Sequence, residues 1–209
     1  MKLRTILAAT GLALALAAFG AQAANLVTNG SFEDNVIRSG TWGVYSNLAG
    51  WTGGARGIEL RNNVAGTAQS GSNFVELDTT GNSSMYQDIL GTGLVNLSFF
   101  FAARPNTGIT NGLGFSFGSF AIGNLLPGVA NATGTHSWLQ YSLNNFQLNA
   151  SGITRLSFFA TGKSDGLGAS LDNVSVSAVP EVETYAMLLA GLGLLGVASR
   201  RRRNKALTA

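Results

Sequence analysis

Few residues of this chain have the types and spacing to do chemistry, and the most demanding of them is Asp172. In Leu171-Asp172-Asn173-Val174-Ser175-Val176, strand alternation puts its carboxylate on the side of Val174 and Val176, the side a sheet buries. A buried carboxylate is costly unless a cation or several hydrogen bonds hold it. Calcium suits the need, because it is a hard ion that takes about six to eight oxygen ligands from carboxylates and backbone carbonyls. The alternatives are that Asp172 caps a turn, or pairs with Arg61 or Arg155. Glu76 and Asp78 form a second arrangement, on one face of a strand opposite Val75 and Leu77. Their backbones lie about 7 Å apart, a spacing open to a glycosidase acid and base, although two such carboxylates more commonly make a solvated polar face. His136 is the only histidine and stands in a Gly-Thr-His-Ser turn, where it reads as a satisfied surface residue. No nucleophile elbow between a strand and a helix accompanies it. With one histidine and no cysteine, catalytic zinc is disfavoured, and no phosphate-binding glycine pattern joins a strand to a helix. The chain reads as a non-enzyme.

Sugar binding needs aromatic platforms beside hydrogen-bonding side chains. Trp42, Tyr45, Trp51 and Tyr86 stand near polar, glycine-rich loops and are the candidates. Filling the edge of a domain is the commoner use of such aromatics.

These side chains must be positioned by strands. Val95, Leu97, Phe99 and Phe101 alternate with Asn96, Ser98 and Phe100, and Leu113, Phe115 and Phe117 alternate with Gly114 and Ser116. That period of two predicts half-buried strands. Further strands are expected over 73–78, 84–89, 138–144, 146–148, 154–160 and 171–176. Between them lie turn-formers such as Thr79-Thr-Gly-Asn-Ser83 and Lys163-Ser-Asp-Gly166. Many short strands, glycine-rich turns and no long amphipathic helix predict an all-β fold, a two-sheet antiparallel sandwich. The chain has no cysteine, so packing, hydrogen bonds or a metal must hold it.

The two ends carry an address. Met1-Lys-Leu-Arg4, an apolar stretch from Ile6 to Phe19 and Ala21-Gln-Ala23 make a secretory signal peptide over 1–23, with its helix, cut after Ala23 by signal peptidase. At the other end an apolar run from Tyr185 to Ala198 precedes Arg200, Arg201, Arg202 and Arg203. Four arginines are costly to move through lipid, so they stay cytoplasmic and leave the preceding domain outside. The run predicts a short transmembrane helix over 184–199 followed by a cytoplasmic end at 204–209. Between Ala24 and Ala178 there are six basic and eight acidic residues, a net of −2, and no basic stripe suits nucleic acid.

The order Val179-Pro180-Glu181, short apolar helix and arginine cluster resembles the PEP-CTERM sorting signal of Gram-negative bacteria that make exopolysaccharide. The resemblance covers 179–203, with the motif at 179–182, and departs from the usual Val-Pro-Glu-Pro in having Val182 where a second proline is expected. It implies recognition by a membrane enzyme of the exosortase type, cleavage near the motif, and transit from the inner membrane to the cell envelope, surface or extracellular matrix. An uncut membrane anchor is the alternative.

The intervening 24–178 resembles jelly rolls of the galactose-binding-like group, which includes many carbohydrate-binding modules. The likeness lies in Asn25-Leu-Val-Thr-Asn-Gly-Ser-Phe-Glu-Asp34, in Asn73 to Asp78, and in Ala169 to Val176. It implies a jelly-roll topology, a structural core tryptophan at Trp138, and a structural calcium joining first and last strands through Glu33, Asp172 and Glu59. The resulting expectation is an exported structural or adhesive protein that holds exopolysaccharide, floc or biofilm material. A carbohydrate-binding module with a defined glycan site is the second reading, and a glycoside hydrolase the third.

Overall fold

The computed structural model describes residues 24–105, 111–125, 135–179, 189–193 and 195–196. The strands in it form two six-stranded antiparallel sheets. The first, sheet A, has the order β1 (Thr41–Tyr45), β4 (Ile58–Asn62), β5 (Asn73–Glu76), β12 (Ser170–Ala178), β7 (Leu94–Ala102) and β10 (Leu139–Gln147). Sheet B has the order β2 (Asn47–Leu48), β3 (Trp51–Gly53), β6 (Ser84–Leu90), β11 (Ile153–Gly162), β8 (Asn111–Phe117) and β9 (Phe120–Leu125). Successive strands repeatedly cross between sheets, so the all-β expectation is met by a jelly-roll sandwich.

Alternation decides which face each residue serves. Val95, Leu97, Phe99 and Phe101 of β7 all point into the space between the sheets and are buried, while Asn96, Ser98 and Phe100 face outward and are partly covered. Phe99 sits at the centre, with ring centroids 5.0 Å from Phe158, 5.1 Å from Phe115 and 5.2 Å from Tyr141. Trp51 also belongs to this core. It lies between Phe32 and Phe158 and is 2% exposed, with its indole N–H donating to the Asn29 carbonyl. That burial corrects the expectation that Trp51 is a loop platform for sugar.

Two sequence expectations fail for the same reason, a bulge. The stretches 138–144 and 146–148 are one strand, β10, whose register against β7 shifts between Leu143 and Phe146, with Asn145 at a φ of 55°. In β12 the register shifts between Asp172 and Ser175, with Asn173 at a φ of 49°. Asp172 pairs with Phe100 and Val176 with Leu97, so the carboxylate faces outward although Val174 and Val176 face inward. The short or hydrophobically irregular strands β1, β2, β3, β4 and β9 are the ones that alternation does not reveal.

The signal peptide, with Ala23, lies outside the described residues, as do Pro180, Glu181 and Arg200 to Arg203. Helix is described at 189–193 and 195–196. Among the described residues no helix is long and apolar enough to cross a membrane.

Phe99→Ala removes the ring on which Phe101, Phe115, Tyr141 and Phe158 pack and is expected to cost about 3–5 kcal/mol of unfolding free energy. Val36→Ala, at a side chain 95% exposed, is expected to stay within about 0.5 kcal/mol. Urea titration of both variants checks this.

Candidate functional site

Sheet A has a second buried side. Opposite the core residues Ile58, Leu60, Val75, Leu77 and Leu171 stand Glu59, Arg61, Phe74, Glu76, Ser170 and Asp172 on its outer face, and all six are buried. The cover comes from loop and strand-flanking residues, among them Val64 to Ser70, Arg104, His136, Trp138 and Asp165 to Gly168.

The polar centre of this layer is Glu76, which is wholly buried. Its Oε1 accepts a hydrogen bond from the Gly168 N–H at 2.6 Å and lies 3.4 Å from Arg104 Nη1, while its Oε2 lies 3.0 Å from Arg61 Nη2. Arg61 also reaches Glu59, its cross-strand neighbour being Phe74 and that of Glu59 being Glu76 itself. The Arg61 Nε and Nη2 both lie 2.6 Å from Glu59 Oε1. Burial pushes the Glu76 carboxyl from its usual 4.5 up to about 8, and the attraction of Arg61 and Arg104 only partly opposes it. Arg61 Nη1 is buried with no hydrogen-bond partner among the described residues.

A cleft of about 180 Å³ opens onto this cluster, lined by Trp42, Glu59, Arg61, Val64, Arg104 and Gly166 among others. Trp42 lies directly across from Arg61 in the β1–β4 ladder and is 59% exposed, with Val44 beside it on the same face. An apolar ring at the rim and charged hydrogen-bonding groups at the floor can hold a polar ring that has one apolar face. Trp42, singled out in the sequence, lines this cleft; Arg61 and Arg104 were not singled out for it, because nothing in their neighbours marks them as sharing a floor.

The other carboxylates hold loops. Asp78 Oδ2 accepts from the N–H groups of Asp165 and Gly166 at 3.0 and 3.1 Å. Glu76 and Asp78 therefore do share a face, but it is a buried face and not the solvated one expected. Asp172 Oδ2 accepts from the N–H groups of Gln69 and Ser70 at 2.8 and 3.0 Å, and its Oδ1 from Asn173 at 2.6 Å. Glu33 Oε1 accepts from Ser72 and Asn73 of the same loop at 2.7 and 2.6 Å. Burial raises the Asp172 carboxyl to about 7 against those N–H groups, and the nearby charge of Glu33 adds to the rise. Glu33 and Asp172 are thus brought together around the 69–73 loop, whereas Glu59 engages Arg61 in the cleft.

His136 is not a surface residue. It is buried, edge-on to Phe74, with Nδ1 2.7 Å from the Thr67 carbonyl and Nε2 2.9 Å from Ser170 Oγ. Burial depresses its pKa, so the neutral ring donates from Nδ1 and accepts the Ser170 hydroxyl at Nε2. A serine and a histidine in this geometry could activate a nucleophile, but Ser170 is fully buried and out of reach of substrate. Gly114-Phe-Ser-Phe-Gly118 spells a nucleophile elbow, yet it runs through β8 with Ser116 paired to Ser157 and Ala121. Trp138, placed in the core by the jelly-roll resemblance, packs instead on Phe74 and His136 in the outer layer. Tyr45 is at the β1 edge, 38% exposed, and Tyr86 lies under the Arg155 guanidinium on sheet B, so neither shares the floor of the cleft.

β12 ends at Ala178, and the Val179 N–H still donates to the Leu94 carbonyl at 2.8 Å. From that point, residues 178–203 match the PEP-CTERM protein-sorting motif. The chain carries a PEP-CTERM sorting tail. The PEP-CTERM tail marks an exported protein processed at the membrane by an exosortase. The chain is also 33% identical over 157 residues to a multifunctional-autoprocessing repeats-in-toxin protein of Vibrio cholerae serotype O1, covering 73% of this chain and 3% of that protein. The corresponding protein of Vibrio vulnificus is 35% identical over 159 residues, with the same shares. The match therefore spans about 3% of the length of these curated relatives. In fold, the protein with the PEP-CTERM tail is similar to the Stig cyclase Fisc of Fischerella sp. TAU, with a TM-score of 0.54 and 12% identity over 77% of this chain and 99% of that one. Similarity also extends to the carbohydrate-binding module TmCBM61 in complex with beta-1,4-galactotriose, with a TM-score of 0.47 and 12% identity over 75% of this chain and 99% of that one.

The raised pKa of Glu76 ties folding to pH. The folded state holds a proton there that the unfolded state releases, so the contribution is complete below pH 4.5 and is lost as pH rises through about 8. Glu76→Gln, which mimics the protonated form, is expected to remove up to about 1.4 kcal/mol per pH unit of slope across that window. Urea midpoints of both proteins measured from pH 4.5 to 8 check it.

Proposed function

We propose that this exported protein binds glycan at the cell surface or in the surrounding matrix, and that the Trp42 cleft is the binding site. The observation that carries the reading is an exposed tryptophan beside a cluster of Glu59, Arg61, Glu76 and Arg104, in which Glu76 is wholly buried, Glu59 and Arg61 are nearly so and Arg104 is partly exposed. Trp42 offers its ring to the apolar face of a sugar, and Glu59 and the two arginines offer acceptors and donors to its hydroxyls. Fixed by their ion pairs, these groups lose little freedom on binding. The role that follows is adhesive and non-catalytic: retention of exopolysaccharide, floc or biofilm material by a protein delivered through its PEP-CTERM tail. A hydrolytic role is disfavoured because Glu76 is engaged by two arginines and a backbone N–H.

A structural calcium is proposed at Glu33 and Asp172. The charge of Glu33 adds to the raised proton affinity of Asp172, and the groups that hold Asp172 among the described residues are backbone N–H donors with no arginine or lysine among them. A cation there would neutralise both carboxylates and tie the first turn of the domain to β12; it would have to displace some of those N–H contacts and draw further ligands from backbone carbonyls and water, since among the described residues no group of three or more acidic or histidine side chains could hold a metal ion. Glu59 is not part of this proposal.

Titration of purified protein against a panel of neutral and acidic bacterial polysaccharides is expected to quench tryptophan fluorescence for some members. Trp42→Ala is expected to weaken that binding about tenfold or more, the loss of one stacking contact. Flat titrations across the whole panel overturn the reading. For calcium, the melting temperature is expected to fall with chelator and to recover with added calcium, and Asp172→Asn is expected to abolish the response.

A further inference from the structure

Four features converge on one end of the sandwich, the end opposite the cleft. The tail leaves there, because β12 runs from Ser170 beside the cleft to Ala178, and Val179 is bonded to Leu94 at the start of β7. The chain enters there as well. Asn25 bridges Ser177 in antiparallel fashion and the Leu26 N–H donates to the Val176 carbonyl, which sets residue 24 beside Ala178. Exposed apolar side chains collect at this end: Leu90 and Ile153, paired across β6 and β11 and 68% and 51% exposed, and Leu94, 43% exposed. The loops that form it are joined by the Gly91–Gly152 and Leu148–Gly93 backbone bonds. Finally, 89–103 and 137–154 contain no Asp, Glu, Lys or Arg, nor do 173–180. Asp88 and Arg155, which border the first two of these stretches, neutralise each other in a bidentate pair with both contacts at 2.8 Å, and the charges that follow in the tether are Glu181 and Glu183.

We infer that this pole is a membrane-seating surface, which rests on the lipid bilayer with Leu90, Leu94 and Ile153 at the headgroup boundary while the tail is still attached. The inference rests on the sorting-tail reading and extends it to the folded domain. From Val179 to the apolar run at Tyr185 the chain can reach at most roughly 20 Å. β12 is nine residues long, about 30 Å from pole to pole. The domain cannot invert within that tether, so the uncharged pole faces lipid and the cleft faces away. Placing an uncharged, apolar pole against lipid avoids the desolvation that buried charge would cost.

The test uses the full chain, which has no native cysteine, reconstituted in vesicles of phosphatidylethanolamine and phosphatidylglycerol. Single variants Leu90→Cys, Leu94→Cys, Ile153→Cys, Ser164→Cys and Leu189→Cys carry an environment-sensitive fluorophore, quenched either by nitroxide lipids or by an aqueous quencher. Expected is lipid quenching at 90, 94 and 153 at least threefold above that at 164, with 189 the most strongly quenched. Lipid contact at 189 with 90, 94 and 153 as aqueous as 164 overturns the seating surface alone. Aqueous behaviour at 189 overturns the membrane-held tail and the seating surface with it.

Discussion

Glu76 is a carboxyl group taken wholly out of water, and much of sheet A is arranged to receive it. Arg61 reaches it from the neighbouring strand, Arg104 from the end of β7, and Gly168 from the loop that leads into β12. Removing one partner from such a set leaves an uncompensated buried charge, which costs more than the pair itself gains. The outer face of sheet A is therefore a polar second core. It fixes the 165–168 turn through Asp78 and Glu76, and the 69–73 loop through Asp172 and Glu33. The cleft exists because that cover is incomplete beside Trp42.

A single residue of left-handed backbone determines how the two cores meet. At Asn173 β12 gains a residue against β7, so Leu171, Val174 and Val176 all reach the inner core while Ser170 and Asp172 reach the outer one. Without that bulge, strict alternation would place Asp172 among the phenylalanines. The loop it holds also carries Thr67, whose carbonyl accepts from the His136 and Trp138 rings. Bulge, loop and aromatic cover are thus one cooperative unit on the outer face.

The regular strands were legible in the sequence because one of their faces is apolar, as in β7 with Val95, Leu97, Phe99 and Phe101. The outer layer was not, since a buried Glu76 or His136 looks in sequence like a solvated one. Its burial depends on loops that return from more than sixty residues away, as when His136 meets Thr67 at a separation of 69. Trp42 and Trp51 show the same limit. Each stands beside glycine and polar residues, yet one ends at a rim and the other between Phe32 and Phe158. The tail was legible for the opposite reason: its address is written in local order and hydropathy, and residues 178–203 match the sorting motif without any tertiary contact being invoked.

The position of Val179 also has a mechanical meaning. In the proposed role, with the tail held at one pole and a polymer gripped at the other, tension would run along β12 and β7, parallel to the strands. The ladder between Ser170–Ala102 and Ala178–Val95 is then loaded in shear, every bond sharing the pull at once, instead of opening bond by bond from a free end. A domain loaded this way would resist being pulled apart better than the modest strength of any one of its hydrogen bonds implies.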